Sequence, residues 1–458
     1  MLERAPLLYL LPGFCIPALL ASLVTSVYNI VDQLFIGNRV GILGNAAANV
    51  VYPAVTVLTA LSLMCGVGTS AVMNLALGNG EREKARMAVG NGTLLMILGG
   101  GIPCAAMLLF TEPLLYLFGC TGAVLPYALA YARITALGYI FSVLGAAGPF
   151  LIRADGSPKL ALVCTSAGAV LNIFLDGLFV YGFDWGIAGA AWATVIGQGV
   201  SAGIFVWYLL HFKSFSLAGG KAEGLCAFRP VPSLAGRIAV LGAGPGFNFL
   251  TQALVQILMN GALRVYGGAS VYGSETALAV AGVAGKVNTL AVAVVTGLSN
   301  GMQPIVSYNF GRKNYGRVIR TGEAVVGTVL CVSFVIFLGY QIFPRQITAC
   351  FGAGDALYFD FAARYFRIFL MLIFLNGLQS SVGGFFSAQG KPWQSIAISF
   401  TRQVVMLPAM LAVLPQAMGL DGVLWAGPAS DLVMAFLAGG LFWRRIRELK
   451  KMDGQPRK

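Results

Sequence analysis

Tyr28, Asn29 and Asp32 stand three and four residues apart in an otherwise apolar stretch, Tyr28-Asn29-Ile30-Val31-Asp32-Gln33. On a helix that spacing puts their side chains on one face. A second apolar stretch repeats the pattern with Asn172 and Asp176, and a third carries Thr194 and Gln198 at the same four-residue spacing. Two carboxylates supported by amide and hydroxyl oxygens, far from bulk water, suit one kind of chemistry. They take up and release a single cation, either a proton shared between the acids or a hard ion such as Na⁺. Each aspartate alone could be a helix-end residue at the lipid headgroups. Both together, with Asn172 beside one, point to a wet recess, because ionisable residues at bilayer depth are costly and are usually functional.

The chain has 458 residues, 58% hydrophobic and 10% charged, with 59 glycines, and its mean hydropathy is +0.80. Soluble domains run near half apolar and a quarter charged. Ten-residue alternating segments, the mark of an outer-membrane barrel, are missing, and long apolar blocks stand in their place. The expected fold class is all-α and polytopic, with twelve transmembrane helices. The blocks fall near 9–36, 44–77, 87–110, 125–151, 160–183 and 187–211. A second set falls near 238–266, 276–308, 318–343, 358–386, 394–416 and 420–443. The first block is too long for a signal-peptide core and reads as a retained helix.

The net charge of +13 would suggest nucleic acid in a soluble protein. Here the basic residues gather in alternate loops: Arg82, Lys84 and Arg86; Arg153 and Lys159; Lys213, Lys221 and Arg229; Arg312, Lys313 and Arg317; and a tail from Arg444. The opposite loops hold chiefly Arg39, Arg264 and Arg345. The positive-inside rule then places both termini in the cytoplasm, and no nucleic-acid partner is expected. His211 is the only histidine and no CxxC occurs, so neither a zinc or redox site nor a cofactor is expected. Cys120 and Cys350 could meet outside the membrane.

The two sets of spans resemble each other. Gly66-Val67 matches Gly297-Leu298, Ala154-Asp155-Gly156-Ser157-Pro158 matches Ala388-Gln389-Gly390-Lys391-Pro392, and Gly186-Ile187-Ala188-Gly189 with Trp192 matches Gly419-Leu420-Asp421-Gly422 with Trp425. All three fall at an offset of about 230 residues. Six spans per half keep the two repeats parallel, which predicts N- and C-lobes around a central cavity. The expected division is 1–211 for the N-lobe and its cation site, 212–236 for a cytoplasmic linker, 237–443 for the C-lobe and 444–458 for a basic tail. That architecture indicates a transporter.

At the repeat offset Asp32 falls on Leu263 and Asp176 on Met410, so ion coupling is expected in the N-lobe alone. The seventh span offers an uncharged stripe, Asn248, Gln252, Gln256 and Asn260, that either lines the cavity or bonds to neighbouring helices. Together with Tyr28, Asn29, Gln33, Gln198 and Lys286, the residues Gln252, Gln256 and Asn260 form the expected substrate cavity. Arg133, Lys286, Arg402 and Asp431 are charges within spans, and Arg402 and Asp431 are expected to pair as a structural or gating contact.

With these residues laid out, the chain resembles the multidrug and toxic compound extrusion (MATE) family, in its bacterial DinF-like branch, over nearly its full length. The likeness rests most on Gly297-Leu298-Ser299-Asn300-Gly301-Met302-Gln303-Pro304-Ile305 followed by Tyr308-Asn309-Phe310-Gly311. Tyr28 to Asp32, Asn172 to Asp176, Gly189 to Thr194 and Pro428-Ala429-Ser430-Asp431 add to it. The resemblance implies export of small organic cations or amphipathic compounds, driven by inward H⁺ or Na⁺. It also implies that Asp32, Asn172, Asp176 and Thr194 form the cation site, with any Na⁺ held at Asp32 and Asp176. Where the family often has an Asn late in the fourth span, this chain reads Gly145-Ala146-Ala147-Gly148-Pro149. We expect a monomeric, non-enzymatic antiporter in the lipid bilayer, its N-lobe site shared in turn by ion and substrate. The alternative is a lipid-linked oligosaccharide flippase, which would need Arg133, Lys286 and Arg402 to hold a pyrophosphate.

Overall fold

The computed structural model describes residues 5–40, 42–215, 227–350 and 355–454; the expectations for Lys221 and the last four residues of the tail lie outside them. The described residues form helices and no strand. In the first half α1 is Leu7–Arg39, α2 Ile42–Asn79 and α3 Arg82–Leu109. Two segments, Leu125–Leu137 and Tyr139–Ala154, make α4, α5 is Pro158–Gly182, and α6 is Gly186–Leu209. In the second half α7 is Pro232–Gly268, α8 Gly273–Gly311 and α9 Tyr315–Ile342. The segments Ala356–Phe369 and Ile373–Ala388 make α10, α11 is Pro392–Met418, and α12 is Leu420–Asp453. Ten of these are single helices long and apolar enough to cross a bilayer, and the two bent pairs bring the number to twelve.

The repeat is visible in the irregularities as much as in the spans. The fourth helix of each half is broken, by 54° in α4 and 46° in α10. A short helix precedes each of them, Thr111–Leu117 and Pro344–Ala349. Gly156 and Gly390, the glycines of the matched turns, take φ of +82° and +73°, a left-handed conformation that a side chain would strain. Proline opens α5, α7 and α11, where its missing N–H costs nothing.

Each half buries its own apolar core. One cluster runs from Ile36 through Met96, Ala128 and Cys164 to Phe205, drawing on α1 to α6. The other gathers Met259, Val280, Tyr340, Phe361, Leu407 and Val423 from α7 to α12. The two lobes meet along a seam at the end where α1 begins and α12 finishes. There Leu10 and Phe14 pack on Ile305, Cys15 packs on Leu298 and Met302, and Ala71, Val72 and Leu75 pack on Leu234, Ile238 and Leu241. Backbones touch across it. A Cβ on Gly242 would lie 1.8 Å from the Met64 carbonyl oxygen, one on Gly301 2.5 Å from Cys15 Cα, and one on Gly297 2.4 Å from Leu19 Cα. Small residues permit such approaches between membrane helices.

Two expectations need correction. Arg133, read as a charge buried in a span, is exposed on α4. Cys120 and Cys350 are both free thiols rather than a bridge.

Because Gly242 admits no side chain, Gly242→Ala should force the seam apart. In a variant keeping Cys15 as its sole cysteine, the thiol is 6% exposed while the seam is closed. Maleimide labelling of Cys15 should then accelerate at least about tenfold, equivalent to about 1.4 kcal/mol of destabilised closure. An unchanged rate would show that the seam yields elsewhere.

Candidate functional site

Four helices of the first half converge on the carboxylate pair. α1 brings Asp32, α5 brings Asn172 and Asp176, α6 brings Thr194, and α4 brings Tyr131. Asp176 is completely buried and Asn172 nearly so. The Asn172 amide donates to Asp176 Oδ2 at 3.2 Å, and its oxygen accepts the backbone N–H of Thr194 at 3.1 Å. The carboxyl of Asp32 lies within hydrogen-bonding reach of that of Asp176. One buried oxygen on each, Asp32 Oδ1 and Asp176 Oδ1, meets no partner among the described residues. Tyr28 and Tyr131 stand close enough to feel both charges.

The local fold explains how the groups meet. α5 and α6 approach at two glycines: a Cβ on Gly197 would sit 2.7 Å from the Gly168 carbonyl oxygen and 3.1 Å from Asn172 Cβ. That contact brings the Asn172 amide to the α6 backbone. Immediately after Asp176 the helix widens into a π-helical stretch, Gly177–Gly182, a geometry that often accompanies functional sites. On the α4 side the helix breaks at Gly138, and Gln198 Oε1 lies against that break, 3.1 Å from where a Gly138 Cβ would be.

Two carboxyl groups this close cannot both stand bare as anions in a recess from which water is largely excluded. A proton shared between them removes the repulsion, as does a hard cation ligated by their free oxygens. Both residue sets fit: the carboxylates supply the ligands and the Thr194 and Tyr hydroxyls further oxygens.

The other expected residues divide into three groups. Asn29 and Gln33 on α1, Gln252, Gln256 and Asn260 on α7, and Lys286 on α8 are exposed. Gln252 and Gln256 bond along their own helix, to Asn248 Oδ1 at 3.2 Å and Asn260 Oδ1 at 2.9 Å. Asn248 itself serves as glue: its amide donates to Ser399 Oγ at 3.1 Å and accepts from Gln403 Nε2 at 3.1 Å, while Thr251 donates to Gln403 Oε1. One end of the stripe on α7 therefore bonds to a neighbouring helix, and the rest of it is exposed. Arg402 Nε donates to Asp431 Oδ1 at 2.7 Å, stapling α11 to α12 inside the second half. Tyr131 was not singled out in the sequence. Its polar neighbours at helical spacing are Tyr127 and Thr135, and the Thr135 hydroxyl is spent on the Tyr131 carbonyl at 2.8 Å.

A two-lobed bundle of up to twelve spans with a buried carboxylate pair in one lobe fits a membrane transporter. The MatE family model matches residues 17–178 and again 247–411, so this chain belongs to that family. Corresponding ends of the two matches are displaced by about 230 residues, the period read from the sequence. The multidrug export protein MepA of Staphylococcus saprophyticus is 25% identical over 433 residues, covering 93% of this chain and 91% of that one. MepA of Staphylococcus aureus is 22% identical over 436 residues, covering 95% and 93%. Among solved structures, an outward-facing multidrug resistance MATE family transporter of the MOP superfamily aligns with TM-score 0.90 at 21% identity over 98% of both chains. A MOP superfamily transporter from Pyrococcus furiosus, described as having a binding pocket of reverse polarity, aligns with TM-score 0.89 at 20% identity.

The glycine contact behind the site is testable. Gly197→Ala should destabilise the protein by about 1–3 kcal/mol, because the methyl group has no room between α5 and α6. Gly199→Ala, where nothing lies within 4 Å, should be neutral or stabilise slightly, by up to about 1 kcal/mol. Thermal unfolding of the two variants in detergent distinguishes them, and equal midpoints would contradict the packing argument.

Proposed function

We propose that the protein is a cation-coupled antiporter that exports small amphipathic organic compounds by alternating access. The observation that carries this reading is the meeting of Asp32 and Asp176 in an enclosed recess, each with an oxygen left over. The positive-inside rule puts the seam and both termini on the cytoplasmic side of a bacterial inner membrane. The polar residues Asn29, Gln33, Gln256 and Asn260 then face an opening toward the outside.

The coupling follows from α1. Its outer half holds Asp32, and its inner half, through Leu10, Phe14 and Cys15, forms part of the seam. When H⁺ or Na⁺ occupies the recess, the two acids tolerate each other and α1 stays packed on α5. When the cation leaves, two anions face each other in a poorly screened space and push α1 away. That displacement reaches the seam along a single rigid element. Inward movement of the ion supplies about 2.3 kcal/mol per charge per 100 mV of membrane potential, added to its own gradient.

Substrate belongs in the space between the lobes rather than at the carboxylates. Asp176 is wholly enclosed while Asn29 and Gln33 on α1 are exposed, so a compound larger than a small cation does not reach it. Competition between ion and substrate then runs through the position of α1, not through a shared set of ligands. The multidrug export relatives support a broad organic substrate range. The flippase alternative loses support from Arg402, whose charge is consumed by Asp431.

The test is efflux from proteoliposomes under a pH gradient alone and under a Na⁺ gradient alone. One of them should drive the wild type, and Asp32→Asn and Asp176→Asn should each lose at least about tenfold of that gradient-driven rate, the loss expected when an intramembrane functional acid is removed. Gradient-driven efflux at wild-type rates in both variants would overturn the reading.

A further inference from the structure

Lys286 is an exposed cation that the coupling mechanism does not use. Its helical phase fixes its direction. Val280, Ala284, Val287 and Ala291 turn the buried side of α8 into the second lobe's core, and Lys286 lies on the opposite side. It is aligned to within about 20° with Gly297, three turns away along the helix. Gly297 and Gly301 are the points at which α8 touches α1 at Leu19 and Cys15. Lys286 therefore stands on the stripe facing the first lobe, roughly 16 Å beyond the closed seam. Asn29 stands about 15 Å beyond the same contact on α1. The lysine thus faces the opening at the depth of Asn29, within about a turn of the level of Asp32.

Nothing described neutralises it. In the second half Asp360 pairs with Arg345, Asp421 with Arg364 and Asp431 with Arg402, and Glu275, in the first turn of α8, stands about 16 Å from Lys286 along the helix, beyond the reach of a salt bridge. Asp32 and Asp176 face each other inside the first lobe. Across the opening stand uncharged amides, Asn29 and Gln33. A cation at membrane depth is costly unless it faces water or an anion, and a positive group fixed to a cavity wall disfavours a substrate whose only charge is positive.

We propose that Lys286 is a specificity-determining residue of the substrate cavity, pairing with an acidic group, a carboxylate or phosphate-type oxyanion, carried by an amphipathic substrate. The preferred substrates are then zwitterionic or acidic amphipaths rather than simple organic cations. The inference rests on the transport reading above and names the chemical class that its cavity takes.

The experiment uses rhodamine B, a zwitterion with a free carboxylate, and its ethyl ester, a cation of nearly the same shape. Both are loaded into proteoliposomes under the gradient that drives the wild type. Lys286→Gln should slow rhodamine B efflux at least about tenfold, the effect of losing one charge-assisted contact, and leave the ester within about twofold. Lys286→Arg should restore most of the rhodamine B rate, which separates charge recognition from a structural role. Equilibrium binding by fluorescence polarisation should show the same split. An equal fall for both dyes in Lys286→Gln, or no change for rhodamine B, overturns the assignment of Lys286. If the wild type moves the ester while Lys286→Gln treats the two dyes alike, the transport reading survives and only this inference fails. A wild type that moves neither dye under either gradient overturns both.

Discussion

Two acids that occupy one recess and cannot both be bare set the terms for the rest of this structure. Asp32 and Asp176 come from helices that are distant in sequence, and neither has a basic partner among the described residues. A fixed lysine or arginine beside them would have made a permanent salt bridge, neutral and inert, like the Arg402–Asp431 contact in the other lobe. Under the proposed coupling, leaving the positive charge to be supplied from solution makes the packing of α1 on α5 conditional on the concentration of a small cation. Every larger feature that matters, the two lobes, the seam and the opening, acquires functional meaning because α1 belongs to both the recess and the seam.

The repeat shows how one scaffold was given two roles. At the offset of the two halves, Arg402 and Asp431 fall on Gly168 and Gln198. In the second lobe these positions hold the fifth and sixth spans together with an ion pair. In the first, Gly168 meets Gly197 backbone to backbone, and the neighbouring Gln198 leans on the break in α4. The same helix pair is therefore joined by charge in one half and by close packing in the other. Close packing holds the Asn172 amide against both Asp176 and the Thr194 backbone, which orients one carboxylate and leaves its second oxygen free. The fifth and sixth spans are thus joined by a satisfied ion pair in the second lobe, and in the first they frame a carboxylate pair with no basic partner among the described residues.

Much of this was legible in the residues. Span positions followed from apolar runs bounded by basic loops. The repeat followed from turns whose glycines need left-handed backbone, since Gly156 and Gly390 are constrained by local geometry and so keep their sequence signature. Asp32 and Asp176 stood out because acids are rare in such runs. What stayed hidden depends on tertiary bends. Tyr131 lies on the segment of α4 that precedes its break, and a break at Gly138 between apolar neighbours leaves little mark in a chain so rich in glycine. The polar stripe on α7 looked uniform from its four-residue spacing. A helix that curves past a neighbour buries one end of such a stripe, so Asn248 bonds to α11 while Gln256 and Asn260 are left exposed. Arg133 misled because a charge inside an apolar run can lie on its outer face.

The seam has to be stable enough to close and weak enough to open, and its composition achieves that balance. Its apolar contacts, Leu10, Phe14, Cys15, Leu75 and Ile238 among them, favour closure. Against them stand polar groups shut in at the same end. Both polar atoms of the Asn74 amide, and Nε and Nη1 of Arg153, are buried without a partner among the described residues. Each such group opposes closure by about 1–3 kcal/mol. Under the proposed alternating access, parting the lobes at this end would hydrate them, so the penalty would lift in the other conformation and narrow the gap between the two states. A difference of about 5.5 kcal/mol in cation affinity suffices to swing a two-state equilibrium almost completely from one side to the other. Under that proposal, a seam built only of leucine and phenylalanine would lie beyond the reach of one small ion, and a seam that also traps an amide and a guanidinium would not.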